Sequence, residues 1–229
     1  PGYLVLDGKP VLFVYRTDVM IQDLGGIDAT RRVVEKMREA CRSAGFSGLI
    51  LMGEHRGTNW QYLEDMKACD LDAAFAYCWH TAEQFPTIEA AFDQQIEKMK
   101  AWANRGILPF PPTATVGWDP MPWSRVDGQA PWLHPDKITR WYSKPEEFVQ
   151  LLRRVKEFAD GFPADSLTRR MLLLDNWNEW GEGHFLSPHA AAGFGYLQAV
   201  RDVFTAQDNL PDYRTPQMLG LGPYGPETI

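Results

Sequence analysis

Five short, almost wholly apolar runs recur along this chain, at 10–15, 46–52, 72–79, 113–118 and 171–176, and segments with helical periodicity separate them. A strand that is apolar on both faces must be covered on both sides. The alternation therefore predicts a parallel sheet with helices packed against it. The segments between the runs suit that role. Residues 31–44 put Val33, Val34, Met37, Ala40 and Cys41 on one face, with Gly45 placed to end the helix. Residues 59–69 read as a second helix. Residues 87–104 form a third, with Ile88, Ala91, Phe92, Ile96, Met99 and Trp102 on its apolar side and Gly106 beyond it. Ser143-Lys-Pro-Glu146 has the spacing of a capping box with proline in the first turn, opening a helix to about residue 159. Ser187-Pro188 is expected to start a last helix through about residue 204. The Pro- and Gly-rich residues 207–229 are expected to wrap the surface without regular structure.

Each run ends in polar or aromatic residues: Tyr15-Arg16-Thr17-Asp18, Gly53-Glu54-His55, Trp79-His80, Gly117-Trp118-Asp119 and Asp175-Asn176. Chemistry gathered at the carboxyl ends of parallel strands is how a (β/α)8 TIM-type barrel is organised. An open doubly wound sheet also binds ligands there, but usually shows a Gly-rich phosphate turn near its start, and this chain has none. The α/β barrel is favoured. Such a barrel has eight strands, so residues 1–206 are expected to be the C-terminal part of a barrel catalytic domain, about five βα units. A further strand near residues 3–6 would not supply three more. The remaining strands would come from an N-terminal barrel segment outside this chain.

The charge balance narrows the partners. Twenty-three Lys and Arg against 30 Asp and Glu give a net charge of −7, with basic residues no more than paired. Nucleic acid, whose binding draws on concentrated positive charge, is disfavoured. No apolar run approaches the roughly 18–20 residues of a membrane-spanning helix, and the residues from Pro1 do not read as a secretory leader. Three cysteines without paired spacing argue for buried thiols rather than disulfides. His55, His80, His184 and His189 lie near strand ends, yet none has HxH or HExxH spacing. No catalytic metal and no cofactor are expected.

The densest chemistry follows the fifth run, in Asp175-Asn-Trp-Asn-Glu-Trp-Gly-Glu-Gly-His184. The preceding Met-Leu-Leu-Leu anchors one end in the core, so the polar stretch emerges at the carboxyl edge of a strand. Its glycines permit a tight turn and close approach by a ligand. Glycosidic hydrolysis commonly takes two carboxyl groups, one to protonate the leaving oxygen and one as base or nucleophile. Glu179 and Glu182 are the candidates, with Trp177 and Trp180 as flat apolar faces for a sugar ring and Asn178 as a hydrogen-bonding partner. The competing possibility is a structural turn whose glutamates face water or pair with Arg16, Arg169 or Arg170. Trp118, Asp119, Glu54, His55, Trp79 and His80, at the other strand ends, complete the set of expected substrate contacts. Nine tryptophans in 229 residues suit a carbohydrate partner.

Trp177-Asn-Glu-Trp-Gly-Glu-Gly183, with Val116-Gly-Trp-Asp119 and the opening Asp7-Gly-Lys-Pro-Val11, resembles the WbsX-type, glycoside hydrolase family 99-like group. The family 99 endo-mannosidases have a related Asn-Glu-Trp-His-Glu-Gly run, with His where this chain has Gly181. The resemblance implies a (β/α)8 barrel and cleavage of α-mannosidic bonds with retention of configuration, and the substrate is expected to be a mannoside- or rhamnoside-like polysaccharide or oligosaccharide. By position it implies Glu179 as the base on the sugar 2-hydroxyl, which then attacks to give an epoxide-like intermediate, and Glu182 as the acid and then base. Because the group is also often labelled glycosyltransferase, the alternatives are a transferase of surface-polysaccharide synthesis and a non-catalytic carbohydrate-binding barrel. A polysaccharide-degrading enzyme of this kind would be periplasmic or secreted.

Overall fold

A computed structural model describes residues 2–79, 85–125 and 140–205. Its centre is a sheet in which β2 (Lys9–Val14), β3 (Ile50–Glu54) and β4 (Ala73–Phe75) run parallel, with Val11 opposite Ile50 and Met52 opposite Ala73. A two-residue strand, β1 (Val5–Leu6), pairs antiparallel with β2 and caps that edge. This is the extra strand near residues 3–6, and it is a hairpin arm rather than a parallel unit. β5 (Thr113–Thr115) pairs parallel with β8 (Leu173–Asp175).

Side-chain and loop contacts join the two groups of strands. Ala74 N–H donates to the Pro109 carbonyl at 3.0 Å, the Thr113 hydroxyl to the Ala76 carbonyl at 2.8 Å, and Trp79 N–H to the Thr115 hydroxyl at 2.8 Å. The five parallel strands are the five apolar runs. Among the described residues they do not close into a barrel.

Among the described residues, helices cover one of the two faces. They are α1 (Thr17–Asp23), α2 (Ile27–Ser43), α3 (Trp60–Ala68), α4 (Ile88–Arg105), α5 (Pro145–Asp160), a one-turn α6 (Leu167–Arg170) and α7 (Gly195–Phe204). Side chains of a strand alternate between faces. Leu51 and Ala74 point into the helix-covered core with Phe92, Met99, Phe148 and Leu152, whereas Val11, Met52, Ala73 and Phe75 form a second cluster on the other face. That second face is concave and holds a hollow of about 490 Å³ lined by Phe13, Phe75, Tyr77, Leu174 and Asn176. Arg170 closes the base of the sheet with a two-point ion pair to Asp7 in the β1–β2 turn.

Several expected boundaries move. The third run becomes a strand only over Ala73–Phe75, and the second begins at Ile50, leaving Phe46 exposed. The helix expected from residue 31 starts at Ile27. Ser143 is not a helix cap: its hydroxyl donates to the Val116 carbonyl at 2.6 Å, and Glu147 instead accepts from Lys144 N–H, one residue later. The last helix begins at Gly195, not Ser187, because residues 186–194 form a turn with a bridge between His189 and Gly193. α4 fits its expected range, with Thr87 capping Ala90 N–H and left-handed Gly106 ending it. Residues 207–229 and His80 lie outside the described residues.

Candidate active site

After β8 the chain turns into a small antiparallel hairpin, β9 (Asn178–Glu179) with β10 (His184–Phe185), and places Glu179 opposite His184. This hairpin carries both glutamates. Gly183 allows it to sit where it does. Its φ is +68°, and a Cβ there would lie 2.6 Å from Asp119 Cβ and 2.9 Å from the Asp119 backbone nitrogen. Asp119 N–H donates to the Glu182 carbonyl at 2.8 Å across this contact. A second short pair, β6 (Gly117–Trp118) with β7 (Trp141–Tyr142), holds Asp119 in place.

The two acids meet different partners. Glu179 Oε2 accepts from the Tyr77 hydroxyl at 3.2 Å, and the Asn176 amide donates to that same hydroxyl at 3.2 Å. Glu182 Oε2 lies 3.0 Å from His184 Nε2, and His184 Nδ1 lies 2.6 Å from Asp175 Oδ1. The Tyr77 ring meets the His184 ring edge-on at 5.6 Å, which joins the two arms. Burial, then the charges of Glu179 and Glu182, hold the Tyr77 hydroxyl well above the usual phenol range. Burial also pushes Asp175 up to about 6, against the pull of His184.

The arginines that could have claimed the glutamates are engaged elsewhere. Arg16 pairs with Asp18, Arg169 with Asp160 and Arg170 with Asp7. Trp177 and Trp180 are 55% and 59% exposed, a high value for indole rings next to two carboxylates. The Trp123 ring stands over Gly181, with its Nε1 3.2 Å from where a Cβ at 181 would be and Glu179 Oε1 3.4 Å from the same point. That indole N–H is buried and has no hydrogen-bond partner among the described residues. The site thus has an acid pair, polar groups that orient it, and apolar rings at its edge. That set can hold and move protons.

Other expected contacts are placed differently. Trp79 is fully buried and donates its indole N–H to the Thr113 carbonyl, so it is a core residue and not a substrate contact. His55 is stacked between Tyr62 and Trp102 and belongs to the same packing. Glu54 is paired with Arg56 at 2.6 Å, and that guanidinium lies over the Tyr15 and Tyr77 rings, so Glu54 is tied into the wall behind Tyr77. Trp118 is buried beneath His184, at 5.4 Å between rings, and Asp119 is held by both arms of Arg140. Trp118 and Asp119 therefore support the hairpin from below. Tyr77 and Trp123 had no signal in the sequence beyond their places at a strand end and in a Pro/Trp-rich loop.

The family model described as "Glycosyltransferase WbsX" matches residues 1–200. WxcX proteins of two strains of Xanthomonas campestris pv. campestris are each 31% identical to this chain over 94% of it, and the chain spans 29% of their length. Among solved structures, the GH99 endo-alpha-mannosidase from Bacteroides thetaiotaomicron matches with a TM-score of 0.50 at 16% identity, over 89% of this chain and 56% of that one. The likeness extends to the α/β fold.

Proposed function

The chain belongs to the WbsX glycosyltransferase family, and from that premise we propose that it is a glycan-processing enzyme, a retaining glycoside hydrolase that works through Glu179 and Glu182. The observation that carries this reading is the hairpin itself. It delivers two carboxylates to one end of the sheet, bonds one to the half-buried Tyr77 and the other to the buried His184, and pairs neither with an arginine among the described residues. In the first step Glu179 takes the proton of the sugar 2-hydroxyl, which attacks the anomeric carbon, while Glu182 protonates the departing oxygen. Water activated by Glu182 then opens the resulting epoxide. Trp177 and Trp180 give the ring a platform. The substrate class is an oligosaccharide or polysaccharide of the mannoside or rhamnoside type.

The five parallel strands fit a partial (β/α)8 barrel formed by residues 1–206, with its concave face open between β2 and β8. A transferase reading is favoured by the description of the family. It differs in the leaving group, which would be a nucleotide or lipid phosphate.

One experiment separates these. The protein is incubated with a panel of α- and β-linked glycans, and in parallel with nucleotide sugars. Release of reducing ends that falls by about 10²-fold or more in Glu182→Gln, with glycan binding retained, is expected for the hydrolase. Consumption of nucleotide sugar without reducing-end release would replace it with the transferase.

A further inference from the structure

Among the described residues, His184 is the one histidine whose two ring nitrogens both face carboxylates. The side chain is completely buried, between Asp175 at the end of β8 and Glu182 in the hairpin turn, 2.6 and 3.0 Å away. The groups around it are few. Tyr77, following β4, presents its ring edge-on, Trp118 of β6 lies against the other side, Arg56 acts on Asp175 by charge, and Glu179 is one step away through the Tyr77 hydroxyl. A neutral imidazole offers one donor and one acceptor nitrogen, whereas here both nitrogens face carboxylate oxygens, as a ring that donates twice requires. The second of these contacts goes to the acid of the reaction.

We propose that His184 is a positioning residue for Glu182. Asp175 fixes the ring, the ring fixes Glu182 Oε2, and Oε1, which carries no hydrogen bond among the described residues, is the oxygen turned to the glycosidic bond. This inference rests on the hydrolase reading above. Glu182 keeps 23% of its side-chain surface exposed while its partner has none, as an acid held from behind requires. The ring also sets the charge behind Glu182. Burial alone would lower its pKa, but the hydrogen bonds and negative charges of Asp175 and Glu182 offset this and push it up to about 9. His184 is then an imidazolium at neutral pH. It donates to Asp175 and to Glu182 Oε2; in the reacting form the Glu182 proton sits on Oε1, and the imidazolium steadies the carboxylate that remains once that proton has gone to the leaving oxygen.

The test has a spectroscopic and a kinetic arm. Nuclear magnetic resonance of labelled imidazole nitrogens, with the His184 signal identified by its loss in His184→Gln, is expected to show both nitrogens protonated at neutral pH and a midpoint near 9. In Glu182→Gln one negative partner is gone, and the midpoint is expected to fall by about one unit or more. That fall reports the His184–Glu182 contact itself, and the kinetic arm reports its use in the reaction. In His184→Gln, kcat is expected to drop about tenfold or more, the scale of losing an orienting partner, while KM stays within about threefold. An unmoved midpoint in Glu182→Gln, or an unchanged kcat in a folded His184→Gln, overturns the proposal. If His184→Gln does not fold, the Glu182→Gln midpoint decides, with the His184 signal then identified from its contact with the Tyr77 ring. A midpoint shift in a protein that cleaves no glycan keeps the clamp and removes the hydrolase reading instead.

Discussion

Replacing Gly183 with alanine isolates the contact on which the whole hairpin rests. Two costs add. At φ +68° the backbone is left-handed, which costs an L-residue about 1–2 kcal/mol. The new Cβ would also sit 2.6 Å from Asp119 Cβ and 2.9 Å from its nitrogen and carbonyl oxygen, so backbone must shift, at about 1–3 kcal/mol. Together they give about 2–5 kcal/mol, and the shift breaks the Asp119 N–H bond to the Glu182 carbonyl. Gly181→Ala is the internal control. Its φ is not left-handed, and its Cβ would meet mainly the Trp123 ring at 3.2–3.3 Å, a side chain that can tilt, so a loss below about 1 kcal/mol is expected. Urea unfolding of both variants, followed by circular dichroism, reads the difference, and turnover by Gly183→Ala is expected to fall further than its stability. Equal midpoints for the two variants, or a Gly183→Ala loss within about 0.5 kcal/mol, would refute the close-approach argument.

Gln95→Leu is expected to cost about 2–4 kcal/mol by urea unfolding, because the fully buried amide accepts from Thr115 N–H at 3.0 Å and donates to Thr115 C=O at 3.1 Å, and leucine leaves both unpaired. A loss under 1 kcal/mol would mean that water or a neighbour replaces it. Trp180→Ala, at a ring 59% exposed, should leave stability within about 0.5 kcal/mol. It should weaken glycan binding by roughly three- to tenfold, read by titration calorimetry, since a stacked ring contributes about 0.5–1.5 kcal/mol. Unchanged binding would remove Trp180 from the substrate platform.

The parts of the fold legible from the sequence are those set by local pattern. All five apolar runs became parallel strands, and α4 kept its expected range because Thr87 and Gly106 cap it with their own atoms. Where a long-range partner competes, local chemistry lost. The Ser143 hydroxyl went to Val116, 27 positions away, so Glu147 caps one residue later. At 187–194, rings from Phe185, His189 and Tyr196 pack together and hold a turn where Ser-Pro suggested a helix. The site follows the same rule. Glu179, Glu182, Trp177 and Trp180 are local to one segment and could be read from it. Tyr77 lies 102 positions from the glutamate that it touches, and Trp79 gave no sign that it would point inward rather than outward. A residue at a strand's end can face the cleft or the helix layer, and only the register decides.

The Arg140–Asp119 pair has a consequence for how such a protein can diversify. These residues, 21 positions apart, are clasped at two points, and Trp118 and Trp141 pair directly beneath them. Closing a chain segment whose ends are already fixed costs only about 0.6 kcal/mol for each doubling of its length. New residues inserted between the two clasped ends would therefore tax the fold very little and would leave the Asp119 bond to Glu182 untouched. The length of that connection can drift while the contacts among Glu182, His184 and Asp175 stay as they are.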